Sequence, residues 1–475
     1  MSEMDLSASQ SPSGFYRTLG RWDVALFSIS AILVVDTLTS AASIGPAAIS
    51  WWLITLVLFF VPYGLITAEL GSAYPRQGGI FIWIRQAFGD QWGARAAWYY
   101  WFNNALWIPT TYLAFANIFS RLFFPDMQLF DLILVSNVMT WLTVGLTIIS
   151  MRVGKWLPNL GAFLKIAIMA VIGIGAFIFA QRNGVANDLS LGAILPRLDA
   201  GLAFLPIILF NLLGFELVSG AGEEMKNPRR HLPGAIIASG ALVTVFYMVG
   251  TLGVLMAIPT DRLGLLSGVM DTLQVVLGEG AVGSTLFTGL GIATLITVLV
   301  TAVTWTMGTN RVVAEAAAEG LLPSFLGELN PRNRTPLGAT IITGLISTLV
   351  LLIYGFLAQS NEDLFWTMLA FSTVVLLLPY LALFPAFLKL RQVDPDTPRP
   401  FRFPGSNLFA RIAAIVCEAF ILLGIVLFFW TPGEPFDWSF ALPVLIGLLV
   451  AILLGELFIW AGRRGRQSEL EEEEL

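Results

Sequence analysis

Apolar residues in this chain fall in long blocks rather than in short alternating stretches. The blocks run about 20 to 27 residues, the length an α-helix needs to cross a hydrocarbon core of about 30 Å. They predict twelve spans, near 23–44, 46–70, 96–122, 129–150, 157–180, 201–222, 233–257, 284–317, 337–357, 364–388, 409–430 and 438–461. Membrane β-strands would instead appear as alternating segments of roughly ten residues, and the pattern lacks them. The expected fold is therefore all-α and integral to the membrane, with 12 transmembrane helices. Between the spans, Ile80–Phe88 and 263–277 read as short surface helices, the second of them outside. Tyr74-Pro-Arg-Gln-Gly-Gly reads as a tight turn, because Pro fixes φ and Gly permits the reversal.

Two spans break the apolar pattern in matching ways. Span 1 is interrupted by Ser28, Ser30, Asp36, Thr37, Ser40 and Ser43. Span 6 is interrupted by Gly214, Glu216, Gly220 and Gly222. Each interior glycine costs a helix roughly 1 kcal/mol relative to Ala, and a carboxylate deep in a span costs at least about 2.5 kcal/mol. Spans 1 and 6 would each open a five-span half. Paired interrupted helices in corresponding positions point to a substrate site between inverted repeats. The chain then divides into an N-terminal segment (1–21), repeat one (22–180), repeat two (200–392), a Pro-rich linker (393–407), spans 11–12 (408–461) and a tail (462–475).

Composition narrows the class. Only 12% of the 475 residues are charged, about half of what a soluble domain carries. A single cysteine, Cys417, excludes an internal disulfide, and a single histidine, His231, excludes a multi-histidine centre. There is no phosphate-binding GxxxxGK[ST] loop for a nucleotide-driven pump, and the spans show no His cluster, paired acid motif or nucleophile–base pair. No enzyme activity, cofactor or metal is expected. With the N-terminus inside, 21 of the 26 Lys and Arg fall in cytoplasmic segments and 4 outside, with Lys165 alone within a span. The expected placement is a plasma or inner membrane with both termini cytoplasmic. The net charge of −6 reflects the tail Glu471–Glu474, read as a solvated end.

Several intramembrane residues could carry chemistry. Asp36 lies about 20 Å into span 1 at 1.5 Å per residue, with no Lys or Arg nearby in sequence. It either meets a substrate ammonium or a proton, or caps the outer half-helix, where Asp is a good N-cap. Glu216 is a candidate proton carrier or coupling link, or else a carboxyl that satisfies freed backbone. Lys165 either snorkels to the surface or faces the bundle, where it would exclude a coupling cation. Trp101, Phe210 and Trp305 could close over a substrate. Asn104 and Asn211 are intramembrane amides that need partners, and backbone at Ser30, Ala31 and Gly214 could hold a substrate. Glu69 reads as ordering the turn beside Arg76, and the run from Glu223 to His231 as a loop.

These motifs resemble the amino acid–polyamine–organocation superfamily over nearly the whole chain. Ala68-Glu-Leu-Gly-Ser-Ala-Tyr-Pro-Arg-Gln-Gly-Gly and the following Ile-Phe-Ile-Trp-Ile-Arg-Gln-Ala-Phe-Gly89 are similar to its span 2–3 signature. Gly214-Phe-Glu with Glu223-Glu-Met-Lys-Asn-Pro-Arg-Arg-His-Leu-Pro233 resembles its span 6–7 signature. Trp305 with Ala314-Glu-Ala-Ala-Ala-Glu-Gly-Leu-Leu-Pro323 resembles its span 8 end. The resemblance implies a LeuT-like five-plus-five inverted repeat, alternating access, and a substrate between spans 1, 3, 6, 8 and 10. It implies that Phe210 covers the substrate, that Trp305 is a middle gate as in the arginine–agmatine antiporter, and that Lys165 stands at a sodium position, making transport sodium-independent. Span 1 departs from the family pattern, because Ser30-Ala-Ile-Leu-Val-Val-Asp36 has no glycine. Val35-Asp-Thr-Leu is closer to polyamine transporters, and the surrounding pattern resembles the glutamate–GABA antiporters. The expected function is a permease for amino acids or derived amines, proton-coupled or exchanging. The alternatives are a polyamine/proton symporter with Asp36 on the amine, and a non-transporting sensor or channel. The expected partners are a small-molecule substrate, protons or a counter-substrate, and lipid, with no nucleic acid.

Overall fold

The computed structural model describes residues 19–35, 37–149, 156–198, 200–220, 225–264, 266–332, 334–430 and 432–473. Regular structure among them is helical, with only two isolated β-bridges. The chain opens on α1 (Arg21–Ile32) and α2 (Leu38–Ala42), then α3 (Ala48–Ala73), α4 (Ile80–Phe88), α5 (Asp90–Phe123), α6 (Leu129–Ile149) and α7 (Trp156–Asn183). The second part begins with α8 (Leu205–Asn211) and α9 (Phe215–Ser219), then α10 (Pro228–Ala257), α11 (Gly268–Leu277), α12 (Ala281–Ala318), α13 (Leu337–Leu357), α14 (Asn361–Val393), α15 (Asn407–Phe429) and α16 (Trp438–Glu473).

Ten segments among the described residues are long and apolar enough to cross a membrane. They are α3, α6, α7, the α8–α9 pair as Gly201–Ser219, α10, α12, α13, α14, α15 and α16. The two other expected spans take different forms. The first is the broken pair α1 and α2, each too short to cross alone. The third is α5, whose 34 residues reach about 51 Å at 1.5 Å per residue. It buries Asn103, Asn104, Thr110 and Thr111, which lower its apolarity.

Burial separates centre from rim. In the most apolar window of Gly201–Ser219, 83% of residues are buried, and in that of α14 78%, against 22% in α16 and 33% in α13. The broken span and α14 therefore sit inside the bundle, whereas α13 and α16 present apolar sides outward. Helix α5 packs along α14 and α12, and α10 packs along α7 and α3. Within α3, Leu56–Phe60 winds as a π-turn just ahead of Pro62. Proline cannot donate to the preceding turn, and a π-turn is a common way for a helix to change the facing of the residues beyond it.

Several expectations need correction. Helix α4 is not a surface helix, because Ile80, Phe81, Ile82, Trp83, Ile84 and Ala87 are all buried. The outer helix is only Gly268–Leu277. The run to His231 is not a loop throughout, since Pro228 opens α10 at a position where its missing N–H is harmless. Residues 221–224, with Glu223 and Glu224, lie outside the described residues. Helix α16 continues to Glu473 through most of the acidic tail. Glu69 does not pair with Arg76, which reaches Glu319 at 3.0 Å. Glu69 instead takes Arg391 through Nε at 2.9 Å and Nη2 at 2.5 Å, Arg399 Nε at 3.3 Å, and the Phe403 amide at 2.6 Å.

Candidate functional site

A helix that stops inside a bundle leaves its last carbonyls without partners. Here α1 ends at Ile32, and three successive carbonyls each receive a donor from a different helix. Lys165 Nζ on α7 donates to Ser30 O at 2.6 Å. Trp305 Nε1 on α12 donates to Ala31 O at 3.0 Å. Tyr247 Oη on α10 donates to Ile32 O at 2.6 Å and accepts from Val34 N at 2.8 Å. Lys165 and Trp305 are both buried, so neither is available to the surface.

The second break lies between α8 and α9. Gly214 adopts φ 125°, a conformation that L side chains rarely tolerate. A Cβ at Gly214 would also come within 3.2 Å of Ile32 Cγ1 and 3.3 Å of Trp305 Cζ2, so the two breaks press against one another through this glycine. The first amides of α9 are capped from outside, Gly214 N and Phe215 N donating to Tyr63 Oη at 3.1 and 3.0 Å. Thr37 Oγ1, at the N-terminus of α2, donates to Asn211 Oδ1 at 2.6 Å and joins one break to the other. The N-cap position of α2 is therefore Thr37. Asp36 itself lies outside the described residues.

Glu216, in the first turn of α9, is buried among three tyrosines. Its Oε1 accepts from Tyr100 Oη at 2.7 Å and Tyr380 Oη at 2.5 Å, and its Oε2 accepts from Tyr63 Oη. Among the described residues no Lys or Arg bonds to it. Three hydroxyl donors are enough to hold an ionised carboxylate.

The candidates divide into two groups. Ser30, Ala31, Lys165, Asn211, Gly214, Glu216 and Trp305 gather at the breaks, and Phe210 is buried on the last turn of α8 beside them. Asn104 donates to Thr306 Oγ1 at 3.3 Å. Trp101 is turned elsewhere: its Nε1 donates to Thr343 Oγ1 on α13 at 2.9 Å, and its ring meets Trp98 edge-on. On the broken helices Ser30 Oγ, Thr39 Oγ1, Asn211 Nδ2 and Ser219 Oγ are buried without hydrogen-bond partners, as is Asn104 Oδ1 on α5.

Sequence reading missed Tyr63, Tyr100, Tyr247, Tyr380 and Trp107. Tyr100 and Trp107 flank the Trp305 ring at centroid distances of 6.2 and 5.9 Å. One signal was present for two of them. Tyr100, Asn104 and Trp107 stand at i, i+4 and i+7 on α5, a single helical face bearing only polar-tipped groups.

A family model described as amino acid permease matches residues 19–453. The chain is 32% identical to a probable agmatine/putrescine antiporter of Lactococcus lactis subsp. lactis (strain IL1403), over 93% of this chain and 95% of that protein. It is 26% identical to a glutamate/gamma-aminobutyrate antiporter of the same organism, over 75% of this chain and 73% of that protein. It is 27% identical to a polyamine transporter of Oryza sativa subsp. japonica, over 82% of this chain and 69% of that protein.

Proposed function

The chain belongs to the amino acid permease family, a multi-pass membrane family of transporters and not of enzymes, and from that premise we propose that it exchanges small amines by alternating access. The observation that carries this reading is the pair of facing helix breaks with an unpartnered buried polar atom beside each, Ser30 Oγ and Asn211 Nδ2. A buried polar atom without a partner costs about 1–3 kcal/mol, and a polar substrate lying between the breaks would supply the missing bonds. In this reading Trp305 and Phe210 are the aromatic groups that cover it.

The breaks favour an amine over an α-amino acid. The free amides that would hold an α-carboxylate are the first ones of α9, and Tyr63 Oη already occupies them. The carbonyls of Ser30, Ala31 and Ile32 each already have a donor, and we assign the substrate ammonium to Asp36. The similarity to a probable agmatine/putrescine antiporter over 93% of the chain supports a small amine. Lys165 places its ammonium on the Ser30 carbonyl, where a sodium ion would need oxygen ligands to itself, so exchange is sodium-independent. Glu216 is the group that couples protons to the cycle.

In this reading the protein has twelve spans in a LeuT-like five-plus-five arrangement, with repeats at 22–180 and 200–392, two appended helices at 408–461, and both termini in the cytoplasm. Proteoliposomes preloaded with putrescine should take up labelled agmatine, whereas empty ones should not. Replacing sodium by choline should change nothing, and Asp36→Asn should abolish uptake. Absence of flux for agmatine, putrescine and a panel of amino acids would sink the proposal.

A further inference from the structure

Two tyrosine hydroxyls stand in for the helical hydrogen bonds that the breaks remove. Tyr247 Oη spans the first break, from Ile32 O to Val34 N. Tyr63 Oη spans the second, from the amides of Gly214 and Phe215 to the carboxyl of Glu216. Both side chains are fully buried and each ring is stacked on an aromatic neighbour of its own region, Tyr247 on Trp52 and Tyr63 on Phe59. Their placement is reciprocal. Tyr63 belongs to the helix that follows the first break and serves the second, whereas Tyr247 belongs to the helix that follows the second and serves the first. They lie 184 positions apart (247 − 63), and the backbone amides they hold, Val34 and Gly214, lie 180 apart (214 − 34).

We infer that Tyr63 and Tyr247 are matched positioning residues, one for each helix break, and that Tyr63 transmits the protonation of Glu216 to the backbone facing the substrate. The inference rests on the proposed amine exchange with Glu216 as the coupling group. A tyrosine oxygen has one proton to donate and two lone pairs. Tyr63 uses all three: it donates to Glu216 Oε2 and accepts both amides. When Oε2 takes a proton from water, its new O–H points at an oxygen with no lone pair to spare. Tyr63 can accept that bond only by letting go of the Gly214 or Phe215 amide, which loosens the second break. Tyr247 Oη bonds backbone on both sides of the first break, so its loss should loosen that break.

The groups facing Glu216 are Tyr63 on α3, Tyr100 on α5 and Tyr380 on α14. The helices packed on α9 are α1, α3 and α12, which carry the charged Arg21, Asp23, Glu69, Arg311 and Glu315. None of these charges hydrogen-bonds to Glu216.

The test is equilibrium binding of labelled putrescine to the full chain in lipid nanodiscs between about pH 5.5 and 8. Tyr247→Phe keeps the ring and should weaken binding on the order of tenfold at every pH, since two buried backbone groups lose their partner. Tyr63→Phe should flatten the pH dependence of binding, and adding it to Glu216→Gln should change the pH profile no further. The relay is overturned if Tyr63→Phe keeps the wild-type pH dependence, or if Tyr247→Phe alters that dependence as much. The positioning role is overturned if Tyr247→Phe binds as wild type. If Glu216→Gln itself keeps the wild-type pH profile, coupling by Glu216 fails and the relay with it, while the uniform loss in Tyr247→Phe still decides the positioning role. Where a Phe variant does not fold, 3-fluorotyrosine at position 63 retains ring and hydroxyl but strengthens the donor to Glu216, so it should displace the pH profile of binding, and an unmoved profile overturns the relay.

Discussion

At the scale of single residues, the groups legible in the sequence were those that are costly where they stand. Gly214 and Glu216 weaken an apolar helix, and Lys165 places a charge in one, so each announces a purpose. The tyrosines do not, because a tyrosine in a span is an ordinary packing residue until its partner is known. Tyr63 and Glu216 are 153 positions apart, and Tyr247 and Ile32 are 215 apart. Gly214→Ala tests the first kind of residue. At φ 125° with Ile32 and Trp305 within 3.3 Å of the added Cβ, it should cost about 1–3 kcal/mol of strain. Putrescine binding should fall at least tenfold while the protein still elutes as a folded species. Lys165→Met removes the donor to Ser30 O, so agmatine uptake should drop. It should gain no sodium stimulation, because one freed carbonyl is far short of the several oxygens a metal ion requires. Uptake in sodium against choline buffer reads this directly.

At the scale of elements, hydropathy placed the helices and even their interruptions, but not the way their ends are secured. The π-turn in α3 has no hydropathy signature, although it precedes the turn that carries Tyr63. The same blindness affected α4, whose apolar residues read equally well as an amphipathic surface helix or as a buried one. Glu69 shows what decides such cases. Its carboxyl is 1% exposed and ties the end of α3 to Arg391 at the end of α14 and to Arg399 and Phe403 in the linker. Glu69→Gln leaves two guanidinium groups without their counter-charge, and breaking a buried pair costs about 3–5 kcal/mol. Its melting temperature should fall clearly, whereas Arg76→Gln, an exposed pair with Glu319, should shift stability by about 1 kcal/mol or less. Beside it, Thr397 Oγ1 and Tyr74 Oη donate to Asp394 and hold its carboxyl below the ordinary range, while burial, then the Asp394 bond, pushes the Tyr74 hydroxyl up to about 12. A lowered carboxyl contributes stability above its unfolded value of about 3.9 and loses it as pH falls through the lowered value. Asp394→Asn should therefore be less stable than wild type at neutral pH and equal to it in strong acid, by melting curves at both.

At the scale of the whole molecule, the open question is how many of its elements cross the membrane. Ten segments among the described residues do so on length and apolarity. The reciprocal tyrosines, by contrast, make sense only if α1–α2 and α8–α9 are equivalent broken spans in oppositely oriented halves. Helix α5 decides the count, because its polar inner face hides a helix long enough to cross. If it crosses, Gln91 at its start faces the cytoplasm and Asp126 just beyond its end faces outside, both being exposed. The chain suits the experiment, since Cys417 is its single cysteine and is buried. In a Cys417→Ala background, Asp126→Cys and Glu434→Cys should react with a membrane-impermeant maleimide on intact cells. Gln91→Cys should react only after the cells are opened. Labelling of Gln91→Cys and Asp126→Cys from the same side would remove α5 from the spans. It would then also remove the opposed topology of the halves, because the four crossings between the two broken spans, α3, α5, α6 and α7, are what make the second broken span run opposite to the first.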